Sequence, residues 1–285
     1  MTNKKLFAGR KIVIATMHKK EHVIAPLLEQ QLGVTTVVAD GLNTDKFGTF
    51  TREIKRIDDQ LETARKKAYA AMELTKTDLA IASEGSFSPH PSVPFIQSSL
   101  ELVLFIDKKH GLEIKGHHRA SETNMNGEYA TNIAEVINFA TKHNFPETGI
   151  ILRFGENIRF GIYKNILTLE ELSYQAKKMF SYPFVKKIFI ETDMRAHKNP
   201  IRMKAIEKAT IDLLKNIQSV CPECKTPGFV AVDFEKGLPC SLCKIPTDLP
   251  IYDIYHCEKC GFSTQKPVTK YGDLADPKYC GHCNP

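Results

Sequence analysis

Eight cysteines, all between residues 221 and 283, form four Cys-x-x-Cys pairs: Cys221/Cys224, Cys240/Cys243, Cys257/Cys260 and Cys280/Cys283. Two-residue spacing lets one tight turn aim both sulfurs at a single ion. Two such turns complete a tetrahedral four-thiolate Zn²⁺ site. The eight cysteines therefore predict two zinc ions. A shell of four sulfurs leaves no open position for water, so the sites read as structural. Four similar pairs also argue against redox use of any one of them. The intervals between pairs are 15, 13 and 19 residues, each enough for a hairpin. The simplest pairing is sequential, with the first two pairs on one ion and the last two on the other. Alternate, cross-braced pairing is also open to this spacing. His256 and His282 stand beside cysteines, but eight thiols already fill two sites.

The rest of the chain offers no single dense motif. Thr16-Met-His-Lys-Lys20 joins an apolar run to a helical pattern. The hydroxyl of Thr16, the ammonium groups of Lys19 and Lys20 and a helix start would make a phosphate cradle. Glu84 follows the apolar run Leu79–Ala82, with Gly85 beside it, and Glu62 lies on the preceding helix. Two carboxylates on one pocket would suit Mg²⁺-assisted phosphoester hydrolysis. Asp193, Arg195, His197 and Arg202 crowd the link between a strand and a helix, where they would bind an anion and move a proton. His117, His118 and Arg119 read as a loop. P-loop, GxGxxG, GxSxG and HExxH patterns are absent from the sequence.

Positioning these groups takes an alternation of strands and helices. Lys11–Ala15, Val34–Ala39, Leu79–Ala82, Leu100–Asp107, Leu112–Lys115, Thr148–Arg153 and Lys187–Glu191 read as strands, and Phe47–Thr51 as a further short one. Ser83–Ser86 reads as a turn. Helices are expected at Glu21–Leu32, Ile57–Thr75 and Ile133–His143. Thr168-Leu-Glu-Glu171 is a capping box, and Asn199-Pro200 opens a last helix. The expected architecture is an α/β domain with a mixed sheet over residues 1–220, then a double zinc ribbon over 221–285.

Composition is that of a globular chain: 42% apolar, 25% charged, mean hydropathy −0.26. No apolar run approaches the length of a spanning helix, and Met1–Arg10 is basic with no long apolar stretch behind it, so a cytoplasmic protein without a membrane partner is expected. The net charge of +6 is uneven. From residue 221 onward, seven lysines face eight acidic residues, a formal −1 that leaves +7 on residues 1–220. Thiolates would make the tail more negative still, so nucleic acid is not an expected partner. A basic body suits phosphate-bearing small molecules.

Residues 10–90 and 155–210 resemble the house-cleaning nucleoside-triphosphate pyrophosphatases, including the inosine/xanthosine triphosphatase branch. The likeness rests on Ile12-Val-Ile-Ala-Thr16 leading to Lys19/Lys20, on Glu62-Thr-Ala-Arg-Lys-Lys-Ala68, and on Ala80-Ile-Ala-Ser-Glu84-Gly-Ser-Phe87. Phe160-Gly-Ile-Tyr163 adds to it. Ser83 stands where that family has a second acidic residue. Arg195-Ala-His197 stands in place of its Ser-His-Arg. The resemblance implies Mg²⁺-dependent attack of water on a nucleotide phosphoanhydride. Glu62 and Glu84 would hold Mg²⁺, with His197 and Asp193 in the catalytic set. Thr16, Lys19, Lys20, Ser83, Arg195 and Arg202 would bind substrate. Gly237-Leu-Pro-Cys240 and the end from Ala275 to Pro285 look like an uncharacterised bacterial family of unknown-function domains. The alternatives to a hydrolase are an adaptor whose ribbons meet a protein or nucleic-acid partner, and a sensor that binds a nucleotide without cleaving it.

Overall fold

The computed structural model describes residues 4–44, 59–90, 93–158 and 160–285. The strand expected at Phe47–Thr51 and the helix start expected at Ile57 lie outside them. The chain divides into two compact units, Lys4–Leu214 and a tail beginning at Lys215.

The body is built on a five-stranded mixed sheet in the order β2-β1-β3-β4-β5. Helix α1 (Lys4–Phe7) precedes β1 (Lys11–Ala15), α2 (Glu21–Leu32) and β2 (Thr35–Val38). Helix α3 (Gln60–Thr75) leads into β3 (Leu79–His90), β4 (Val93–Asp107) and β5 (Leu112–Ala120). β1 is parallel to β2 and β3, while β3, β4 and β5 form an antiparallel meander. Asp59 starts α3 by accepting the Glu62 N–H, and Gly33 ends α2 in the left-handed conformation that glycine adopts freely. Ala64, Ala68, Ala71 and Met72 line the buried stripe of α3. Their small size lets the helix sit close to Val13, Ala15, Ala82, Leu102 and Leu104. On the opposite sheet face Phe7 meets Phe105 edge-on at 5.2 Å.

The sheet differs from the sequence expectation at two places. Ser83–Ser86 is strand, not turn, because β4 continues the antiparallel ladder with β3 well past the end of β1. His117, His118 and Arg119 likewise belong to β5, paired with Leu102, Glu101 and Leu100. Gly116 lets that strand pass under a helix: a Cβ there would lie 2.3 Å from the Leu213 backbone nitrogen.

A second, antiparallel sheet in the body has the order β6-β8-β7, from β6 (Gly127–Ala130), β7 (Ile150–Arg153) and β8 (Ile188–Thr192). Helices α4 (Ile133–Lys142) and α5 (Leu169–Phe180) give Val136, Phe139, Leu172, Ala176 and Met179 to a core with Ile150, Leu152, Ile188 and Ile190. Thr168 caps α5 and Asn199 caps α6 (Pro200–Gln218) by accepting the Arg202 N–H at 3.1 Å. Among the described residues no helix is long and apolar enough to cross a membrane.

The tail holds a three-stranded antiparallel sheet, β11-β10-β9, made of β9 (Val230–Lys236), β10 (Pro250–His256) and β11 (Ser263–Pro267). Register places Val230, His256 and Ser263 at one end and Lys236, Pro250 and Pro267 at the other.

Candidate functional site

The tail sorts its thiols into two groups: Cys221, Cys224, Cys257 and Cys260 in one, Cys240, Cys243, Cys280 and Cys283 in the other. Sequential pairing is therefore wrong and alternate pairing right. The reason is the meander. One strand, not a hairpin, lies in each of the first two intervals, so each crossing moves the chain to the other end of the sheet. Odd pairs collect beside Val230 and His256, and even pairs at the opposite end.

Within each group all four sulfurs lie within 4.8 Å of one another, and every cysteine is a free thiol. Cross-pair contacts are 3.7 Å for Cys221–Cys260, 3.6 Å for Cys224–Cys257, 3.9 Å for Cys240–Cys283 and 3.6 Å for Cys243–Cys280. A tetrahedron with Zn–S bonds of about 2.3 Å has S···S edges of about 3.8 Å. The donor set and its spacing thus suit zinc. The knuckles share one backbone form. Lys225, Lys244 and Gly261 each return an N–H to the leading cysteine carbonyl at 2.8–3.0 Å, with φ between 61° and 76°. Thr226 hydrogen-bonds Cys224 and holds its thiol down to about 6. Cys243, with burial and its other two neighbours, pushes Cys283 up to about 12, a conflict between crowded thiols that a bound dication would resolve. His256 hydrogen-bonds Ser263 at 2.8 Å, and His282 is exposed.

In the body, the two polar segments singled out from sequence meet. His18, from the turn after β1, stacks on His197, from the turn after β8, with ring centroids 5.1 Å apart and planes 14° from parallel. Burial, His18 and Arg195 bring His197 down to about 4, so its ring is neutral at pH 7. Lys20 is 6% exposed and points its Nζ at the Ser83 hydroxyl (3.0 Å) and carbonyl (3.2 Å). It forms no ion pair among the described residues. Burial, then the like charges of Arg202 and Lys67, outweigh Glu84 and Glu101 and push it down to about 7. Thr16 and Lys19 line a neighbouring cleft of about 380 Å³ with Glu21, Asp40 and Asn43, at the carboxyl ends of β1 and β2.

The acidic residues are held apart. Glu84 pairs with Lys67, and Glu101 accepts from Arg202 Nε at 2.7 Å. Glu84 lies opposite Leu102 and Gly85 opposite Glu101, so the two carboxylates leave the sheet on opposite faces. A Cβ on Gly85 would come within 2.6 Å of Arg202 and 2.7 Å of Glu101, so a larger residue there would have to displace that ion pair. Glu62 pairs with Arg65 at 3.1 Å, and Arg65 also grips Glu113. Asp193 is gripped by Arg195, whose NH2 also reaches Asn165 at 2.9 Å.

Sequence reasoning assigned no role to Lys67, Glu101 or His18. Two signals were present: Lys67 interrupts the alanine stripe of α3, and Glu101 interrupts the apolar run of β4. A charge on an apolar face marks a buried pair.

No curated protein matches the chain. A solved structure, protein VC0702 from Vibrio cholerae, aligns with 73% of this chain and 94% of its own at 9% identity and a TM-score of 0.30, a likeness too distant to bear on fold or function. The model of the family described as domain of unknown function DUF6671 matches residues 67–285, well over half of the sequence, and the chain belongs to that family.

Proposed function

We propose that the body binds the phosphates of a nucleotide-class ligand at the carboxyl end of β1, beside Ser83 of β3, and hydrolyses a phosphoanhydride bond. Lys20 carries this reading. It is a buried ammonium whose only hydrogen-bond acceptor among the described residues is Ser83, placed beyond the carboxyl end of β1 where ligands of open α/β sheets bind. Burying such a charge without a counter-ion is costly, and a bound phosphate supplies one. The cleft of about 380 Å³ that Thr16 and Lys19 line, on the same segment as Lys20 though not lined by it, falls within the usual size range of small-molecule sites. Lys20 and Arg202 would offset charge developing on the phosphoryl oxygens. Neutral His197 would accept the proton of the attacking water as the phosphorus–oxygen bridge breaks.

Mg²⁺, which the pyrophosphatase resemblance implies, fits these residues poorly. Glu84, Glu101 and Glu62 are each engaged by a cation of the protein. Besides the cysteines, the described residues hold no group of three acidic or histidine ligands. No step is assigned to the ion.

The test is phosphate and pyrophosphate release from a nucleotide panel by the full-length, metal-loaded chain, with and without Mg²⁺. Turnover that falls ~100-fold or more in a folded Lys20→Met variant supports the reading, since one charge aimed at the transition state is worth that much. Equal turnover in the variant removes Lys20 from the site. Tight binding without release favours a nucleotide sensor. An adaptor role has one feature behind it: edge strand β9 is exposed from Ala231 to Lys236, including Val232 and Phe234, and such edges accept added strands from protein partners.

A further inference from the structure

The alternate pairing of knuckles has a consequence for how metal is taken up. The chain between Cys224 and Cys257 contains Cys240 and Cys243, and the chain between Cys243 and Cys280 contains Cys257 and Cys260. Each ion therefore closes a loop that holds half of the other ion's ligands. Closing a long loop costs chain entropy, and a loop already closed makes the next closure shorter. The sheet links the two ends physically. β9 and β10 run the whole way from one thiol group to the other, paired from Val230↔His256 to Lys236↔Pro250.

That sheet has little else to hold it. β9 is exposed over Ala231–Lys236, and β11 is largely exposed. The buried apolar cluster of the tail is Phe229 against Cys221 and Cys257, with Tyr255 and Phe262 beside it, all at the first thiol group. At the far end Leu238 and Ala275 are buried with Cys240 and Cys280, and backbone ties join the segments: Ala275 accepts from Ser241 N–H at 2.9 Å and donates to Pro239 at 2.8 Å. Each end buries only a few apolar residues besides its cysteines, and three short strands are marginal without a packed face.

We propose that the two metal ions enter the tail as a cooperative pair, each group of thiols being assembled by the ion at the other. The sheet is the coupling element, and the tail folds over a narrow range of free metal. Sequential pairing would have closed two separate loops and left the sites independent.

The experiment is native mass spectrometry of the full chain, stripped of metal under reducing conditions and titrated with Zn²⁺. At one equivalent, cooperative loading gives empty and doubly loaded chains, with fewer than about a tenth singly loaded; independent equal sites give about half. A dominant singly loaded species, or no uptake of metal at all, overturns the proposal. A Cys280→Ser/Cys283→Ser variant, titrated with Co²⁺ and followed by thiolate-to-metal absorption, tests the coupling from the other side. The first group should bind at least tenfold more weakly than in the intact chain, and unchanged affinity contradicts the proposal.

Discussion

The body and the tail both have to fix polar atoms against water, and they do it by opposite means. In the body, charges are buried inside an apolar frame: Glu101 and Arg202 meet beneath Gly85, Glu84 and Lys67 meet beneath α3, and Lys20 has a serine. Each charge is held by the core around it. In the tail the order is reversed: a thin sheet with exposed strands hangs on two groups of thiols. A site made by its frame can be lost one residue at a time, whereas a frame made by its sites is lost all at once.

Metal removal probes that difference most strongly. Structural four-thiolate zinc contributes on the order of 10 kcal/mol to folding. A strong chelator should therefore abolish hydrogen-exchange protection in β9, β10 and β11 and leave that of β1, β3 and β4 unchanged. Protection retained in the tail would show that its sheet is self-sufficient. The next effect belongs to the body. Arg202→Met strands the buried Glu101 carboxylate and should lower stability by about 3–5 kcal/mol by chemical denaturation. Replacing both partners, as Arg202→Met with Glu101→Leu, should recover much of that loss. If the single variant is as stable as the parent, the pair is not buried as described.

A smaller effect, of opposite sign, separates a site from a scaffold. Lys20 has its folded-state pKa lowered from the usual lysine range to about 7. Such a group favours folding fully only above its unfolded value of about 10.4, and that stability is lost as pH falls toward 7. Lys20→Met should therefore raise stability at pH 7 by about 1–3 kcal/mol, and the gain should shrink by pH 10. A destabilised variant at pH 7 would mean that the Ser83 hydrogen bonds outweigh the buried charge.

The sequence was most readable where a local signal decides the structure. Asn199-Pro200 and Thr168-Leu-Glu-Glu171 mark the starts of α6 and α5 because capping is settled within four residues. The thiols were recognisable as candidate metal ligands for the same reason. Their pairing was not, because it depends on whether an interval crosses the sheet once or twice. β9 and β10 each cross once. Ser83–Ser86 failed as a turn for a related reason: small polar residues suit a loop, yet the long partner strand β4 and the Glu101–Arg202 pair require them in the sheet. Glu62 and Glu84 could be paired on paper because helix and strand faces give direction but not neighbours. Arg65 and Lys67 take them separately.

The proposed division between a ligand-binding body and a metal-built tail can be tested in one measurement. Backbone amide shifts of the metal-loaded full chain would be recorded during titration with a nucleoside triphosphate. Perturbations are expected at Thr16–Lys20, Ser83–Gly85 and His197–Arg202, with residues 221–285 unmoved. Perturbations confined to the tail, or none at millimolar ligand, would contradict it.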